Sequence, residues 1–377
     1  MGNSAARPQR SKQTGYIILL IMLVLVAGGA TFFSGAYTSS NDASARESTR
    51  SLLALDTAAT AVKIYSMTDE DRPGSLPCPD FSGDGITDIN CLNSSEPVHV
   101  ERLPWRTLDI GSDAAGLWYV MDRDFRDNTA AQPINAELEG SLIIESGAGV
   151  DATGFAALII DPGDPLVGQN NRGRDSETVG DYLDLEENTD NDNRFVDCPS
   201  REDCNDRIIG VSTTELFRLV QRRLLADLKQ PVEDFIDDAI STHGNLPYAA
   251  KLNSLECEAD LHRGHLPQSQ GECAPNEFVD PNDFPSWVTD NDWLELVIYH
   301  VDDACTEAPC SAGDLEVDGE AGLALVLAIA GGALPGQDRN APELNIEDYL
   351  ESGLVDGVYL NQPKSTSNND LYWGTGP

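Results

Sequence analysis

The sequence predicts an α+β chain: an N-terminal membrane-spanning helix that continues into a second helical stretch, followed by two tandem helix-plus-antiparallel-sheet domains. Three observations carry this. An uncharged run of eighteen residues extends from Tyr16 to Phe33. A stripe at helical spacing, Leu52, Leu55, Ala59 and Val62, comes soon after it. The chain then repeats itself: Gly168-Gln169 and Gly336-Gln337 lie 168 residues apart, and the Asp-Tyr-Leu triplets at Asp181 and Asp348 lie 167 apart.

Residues 1–15 form a basic leader with Arg7, Arg10 and Lys12 and no acid. That asymmetry keeps the leader in the cytoplasm and sends the rest outward. Residues 16–33 have about the minimum length for a spanning helix, and the small residues in "GGATFFSGA" also suit a cleaved signal. The expected location is a single-pass inner-membrane protein with its head in the periplasm or at the cell surface.

The first exported domain is expected over residues 34–210. Its helix ends at a Gly-containing turn before Leu76-Pro77, and strand-like runs follow around Trp118 and in "GFAALIID". The second domain, 211–377, repeats this order, with Gly244 before Leu246-Pro247 and strands in "LELVIYHV" and "LALVLAIA". Ser212 and Glu215 stand at capping-box spacing, and Leu216, Leu219, Val220, Leu224 and Leu228 form one apolar stripe for core packing. Pro231 lacks a backbone donor and is expected to kink this helix or begin a new segment.

Composition narrows the function classes. Against 24 basic residues stand 64 acidic ones, a net charge of −40, which repels nucleic acid and anionic lipid headgroups. A hydrophobic fraction of 40% is enough for packed cores and excludes a wholly disordered acidic tail. No nucleophile elbow, phosphate loop or dinucleotide fingerprint occurs, so no enzyme is expected.

All eight cysteines lie beyond the apolar run, in four local couples: Cys78 with Cys91, Cys198 with Cys204, Cys257 with Cys273, and Cys305 with Cys310. An even count in short loops suits an oxidising compartment, and neighbour pairing is the simplest connectivity. Zinc is disfavoured, because no Cys-x-x-Cys occurs and the five histidines do not interleave with the cysteines.

Between Cys78 and Cys91, Asp80, Ser82, Asp84 and Asp88 stand at positions one, three, five and nine of a calcium-loop pattern, with Gly85 at the sixth. Alternate oxygen ligands around a tight turn suit Ca2+, with Ile86 offering its carbonyl. The loop lacks the closing bidentate Glu, so a structural calcium ion would need a further ligand such as Asn90. The competing reading is an acidic loop closed by Asx turns. A second run with Asp190, Asp192 and Asp197 has no glycine to enforce a turn and reads as a solvated loop.

A short basic leader, Gly15-Tyr16 opening an apolar run, and a helix leading into an exported α+β head resemble the type IV pilins and type II secretion pseudopilins. The resemblance covers the apolar run, the first helix and its turn. It implies cleavage between Gly15 and Tyr16 by a prepilin peptidase, a pilin-like helix and head, and partnership with other pilin or pseudopilin subunits through the N-terminal helix. The family's Glu at the fifth mature residue is replaced by Leu20, which resembles minor and tip subunits. The function implied is a minor or tip structural subunit of a type IV pilus or type II secretion-like filament. The alternative is a single-span, membrane-anchored periplasmic binding or adhesion protein outside any filament.

Overall fold

The computed structural model describes residues 40–93, 98–128, 132–146, 151–167, 169, 172, 178–190, 192–199, 201–269, 271, 273, 278–340, 344–352, 356–362 and 368–376. The chain divides into two compact units, Met1–Leu52 and Leu53–Pro377. Of the first unit the described part is the start of helix α1, Ser40–Thr68. Gly15, Tyr16 and the expected span 16–33 lie outside the described residues.

The expectation of a membrane-spanning helix, and of single-pass inner-membrane placement with it, is corrected here. Among the described residues no helix is long and apolar enough to cross a membrane. The physical reason is charge: α1 is 29 residues long but includes Asp42, Arg46, Glu47, Arg50, Asp56 and Lys63, each costly in hydrocarbon.

Within the second unit, α1 buries Leu55, Ala58, Ala59, Val62 and Ser66 along one side, the i, i+3/i+4 spacing of a packed helix face. Its last turn bends off where the Thr68 hydroxyl bonds back to the carbonyls of Ile64 and Tyr65. Gly74, at φ 110°, then donates its N–H to the Ser66 carbonyl.

The first half builds β1 (Val98–Arg102), β2 (Trp118–Asp122), β3 (Leu142–Ser146), β4 (Ala152–Asp161), β5 (Arg194–Asp197) and β6 (Arg207–Ser212). The sheet order is β1-β2-β4-β3-β5, with β6 also paired to β4. Helix α2, Thr213–His243, follows. The Ser212 hydroxyl accepts the Glu215 N–H at its start, and Gly244 ends it in the left-handed region at φ 81°. Pro231 lies inside this helix and does not begin a new segment, which corrects one of the two sequence expectations for it. Leu224 and Leu228 before it and Val232, Phe235, Ile236 and Ala239 after it are all buried on one stripe, and this packing outweighs the lost donor.

The second half builds β7 (Arg263–His265), α3 (Ser286–Asp290), β8 (Val297–Val301), α4 (Asp303–Thr306), β9 (Leu315–Val317), β10 (Glu320–Leu323), β11 (Leu325–Ile329), β12 (Val358–Tyr359) and β13 (Leu371–Thr375). They form two sheets, β13-β11-β8-β7 and β10-β9-β12. The pairing pattern of the first half recurs. β1 lies antiparallel to β2 as β7 does to β8, β2 to β4 as β8 does to β11, and β4 to β6 as β11 does to β13. β3 runs parallel to β5, and β9 to β12. These parallel pairs correct the expectation of wholly antiparallel sheets: the long connections inside each half let the chain cross over. The halves differ at one place. Where β4 is a continuous ten-residue strand, its counterpart breaks into β10 and β11 at Ala324, whose N–H bonds Thr375 and whose carbonyl accepts from Asp302.

β2 is buried along its whole length. Trp118 and Val120 face a cluster with Leu158, Ile160, Leu183 and Phe195, while Tyr119 and Met121 face the main core, the two-residue alternation of a strand covered on both sides. The main core takes Leu55 and Val62 of α1, Leu216 and Leu224 of α2, and Val297, Leu325 and Leu327 of the second half together. The two repeats therefore share one buried core.

The four cysteine couples are disulfides: Cys78–Cys91, Cys198–Cys204, Cys257–Cys273 and Cys305–Cys310, with Cα atoms 5.7, 5.7, 5.7 and 4.1 Å apart. Among the described residues no cysteine is free.

Candidate functional site

The Cys78–Cys91 loop is organised around Asp80, whose side chain is buried at 1% exposure. Its Oδ1 accepts the N–H groups of Ser82 (3.1 Å), Gly83 (2.7 Å) and Asp84 (3.3 Å) and the Ser82 hydroxyl (3.1 Å). Its Oδ2 accepts the Gly85 N–H at 2.6 Å. Asp88 Oδ2 accepts from Phe81 and Ser82 N–H, and Asp84 Oδ1 from Ile86 N–H. Gly83 and Gly85 lie at φ 75° and 88°, and a Cβ on Gly85 would fall 2.5 Å from Trp105. The structure thus brings Asp80 and Asp88 onto the shared Ser82 N–H, with the Ser82 hydroxyl also donating to Asp80, sends Asp84 to its own turn, and leaves the Ile86 side chain half exposed. Asp80, Asp84 and Asp88 do not form a group whose carboxylate oxygens all lie within 4.8 Å of one another.

The second acidic run serves local turns. Asp190 accepts from Asp192 N–H, Asp192 from Arg194 N–H, and Asp197 from Ile208 N–H.

The residues that anchored the repeat occupy matching corners. Gln169 Oε1 accepts the Leu166 N–H as Gln337 Oε1 accepts that of Leu334. Arg172 stacks on Tyr182 and Arg339 on Tyr349. A residue that the sequence reading passed over closes each corner. Asp206, just before β6, accepts the N–H of Asp184; Asp370, just before β13, accepts that of Glu351. Likewise Asp122 accepts from Asp124 and Ser141 N–H, and Asp302 from Ala304 and Asp314 N–H. Their signal was available: Asp122 ends β2 and Asp302 stands just past the equivalent β8, while Asp206 and Asp370 stand just before the equivalent strands β6 and β13.

In the first corner, the ligand atoms of Asp184, Cys204 and Asp206 lie within 4.8 Å of one another, the one such group of three or more among the described residues. Cys204 is bonded to Cys198 and offers no thiolate, so two carboxylates remain, fewer than a hard cation needs. Asp206 is fully buried; its Oδ2 holds Asp184 N–H and Asn188 Nδ2, while its Oδ1 has no partner. Burial pushes its carboxyl up to about 6, against the pull of those two hydrogen bonds.

Two cavities adjoin α2. One, of about 310 Å³, lies between Glu137 and Glu139, Thr213 and Thr214 at the helix start, and the loop after β11. The other, of about 230 Å³, lies between α2 and the segments around Gln362 and Leu371. Of the aromatics near the C-terminus, Tyr349 and Tyr372 are core residues and Trp373 packs partly buried against it.

Comparison of the chain with known protein families, with characterised proteins and with solved structures finds no match in any of the three.

Proposed function

We propose that this chain is a non-enzymatic structural subunit of a filament of the type IV pilus or type II secretion kind, a minor or tip component that meets neighbouring subunits through α1. The observation that carries this reading is the contrast between its two long helices. On the side away from the core, α1 exposes Leu53 (65%), Asp56, Thr57, Thr60 and Ile64 (50%) at successive helical turns, one acid among apolar and neutral side chains. The exposed side of α2 instead carries Gln230, Glu233, Asp234, Asp237 and Asp238. In a protein of net charge −40, like charges repel most approaching copies, so a helix face with a single acid and exposed Leu53 and Ile64 is where a neighbour can pack at the least such cost. The polar side chains repeated between the halves are consumed in closing loops, which suits a rigid head better than a catalyst.

The test is filament incorporation. Leu53→Glu with Ile64→Glu is expected to leave the melting temperature within a few degrees and to remove the protein from sheared filaments. Incorporation that survives both changes, or a wild-type chain that never enters filaments, overturns the proposal. Processing by a prepilin peptidase predicts a mature chain that begins at Tyr16, read by N-terminal sequencing.

A further inference from the structure

Among the described residues, Arg218 and Arg222 stand apart. Nearly every other lysine or arginine whose side chain is described is engaged: Arg194 with Glu145 and Asp151, Arg201 with Asp203, Arg223 with Asp227, Lys251 with Glu258, Arg102 over Trp118, Lys229 over Trp373. Arg218 and Arg222 make no side-chain hydrogen bond, ion pair or ring contact. In a chain with 64 acidic residues, two guanidiniums without a carboxylate are an anomaly that calls for a ligand.

They are also placed together. Positions 218 and 222 are one turn apart on α2, so their side chains leave the helix on one face, and both line the cavity of about 230 Å³. The polar side chains of Gln221, Asn361 and Asp370 in its wall are already committed, and Gln362 and Leu371 complete it. Gln221, 1% exposed, donates its Nε2 to the Ala330 carbonyl. Asn361 Nδ2 bonds Asp318 and the Tyr372 carbonyl, and its Oδ1 takes the Tyr372 N–H. Asp370, 1% exposed, accepts Gly331 N–H on one oxygen and Glu351 N–H and the Tyr372 hydroxyl on the other. Both of its oxygens face bonded donors, so neither is left to form an ion pair with the arginines.

We propose that this cavity binds a single carboxylate group, held between the guanidiniums of Arg218 and Arg222. Arginine stays protonated at every physiological pH and matches a carboxylate with two parallel N–H donors. Local charge selects a monoanion: Asp370 forms no ion pair with the arginines but keeps its negative charge in the same wall, so two arginines and one carboxylate leave one net positive charge. A dianion would meet twice the repulsion of the surrounding acidic surface. The volume falls below that of a drug-sized ligand site, so the cavity takes one group, either a small free acid or the end of a peptide chain.

The test uses the whole protein at low ionic strength, titrated by calorimetry with sodium acetate, with N-acetyl-dialanine and with inorganic phosphate. Both carboxylates are expected to bind saturably and more tightly than phosphate. Tighter binding of the peptide than of acetate assigns the group to a chain end, and equal binding assigns it to a free acid. Arg218→Gln and Arg222→Gln should each weaken carboxylate binding about tenfold or more, the loss of a charge-assisted hydrogen bond. Arg222→Lys, which keeps the charge without the fork, should fall between, and Arg201→Gln, which alters an exposed arginine already paired to Asp203, should change nothing. If a glutamine variant does not fold, the lysine variant decides. No saturable carboxylate binding, equal binding in the arginine variants, or a preference for phosphate overturns the proposal.

Discussion

Asp206 is the residue whose surroundings make the sharpest demand. Its carboxyl is raised to about 6 in the folded protein, against about 3.9 in an unfolded chain. Between those values the folded state holds a proton that the unfolded state has released, so this group's stabilisation is present in full below about pH 4 and is lost as pH rises to 6, by about 3 kcal/mol. Asp206→Asn keeps both accepted hydrogen bonds on its carbonyl oxygen and cannot ionise. Denaturant unfolding at pH 4 and pH 7 should therefore show wild type losing ground to the variant as pH rises, and parallel curves would mean that the buried carboxyl is solvated. Asp80 makes a different demand, since its five donors would be left without a partner by Asp80→Ala. That change is expected to cost about 2–4 kcal/mol. Melting the wild type with calcium and with a chelator tests the ion directly: occupancy of the loop predicts a melting temperature that rises with calcium.

At the scale of elements, α2 carries a conflict between backbone and packing. Pro231 sits inside the helix with a buried stripe on either side, so the segment is held helical by its neighbours against a local penalty of about 3 kcal/mol. Pro231→Ala should raise stability by a good part of that amount in urea unfolding, and no gain would mean that the helix is interrupted there in solution. Ser212→Ala should cost about 1 kcal/mol by removing the hydroxyl that accepts Glu215 N–H. That N-cap and the Gly244 stop were legible in the sequence because each depends on residues within one turn. The uninterrupted course through Pro231 was not, because it depends on what α2 packs against. The split of the long strand into β10 and β11 was equally hidden, since Ala324 takes its partners from Asp302 and Thr375, distant in sequence.

For the whole molecule, the shared core makes a cooperative prediction. Residues from both halves form one buried cluster, so calorimetry should give one unfolding transition for the oxidised protein, and two resolved transitions would mean that each repeat melts alone. Self-repulsion at a net charge of −40 opposes the compact state, so that transition should move up as salt is added. By itself the sequence determined the duplication, the local cysteine pairing, the helix caps and the glycine turns, all readable from short spacings or from comparison of the chain with itself. Only the tertiary structure decided that the two repeats share a core, that the carboxylates of the Asp80 loop point at backbone donors, that Asp206 and Asp370 close equivalent corners, and that Arg218 and Arg222 face a common cavity. Each of these turns on which groups meet across long stretches of chain and how much water is left between them, and spacing along the chain does not encode that.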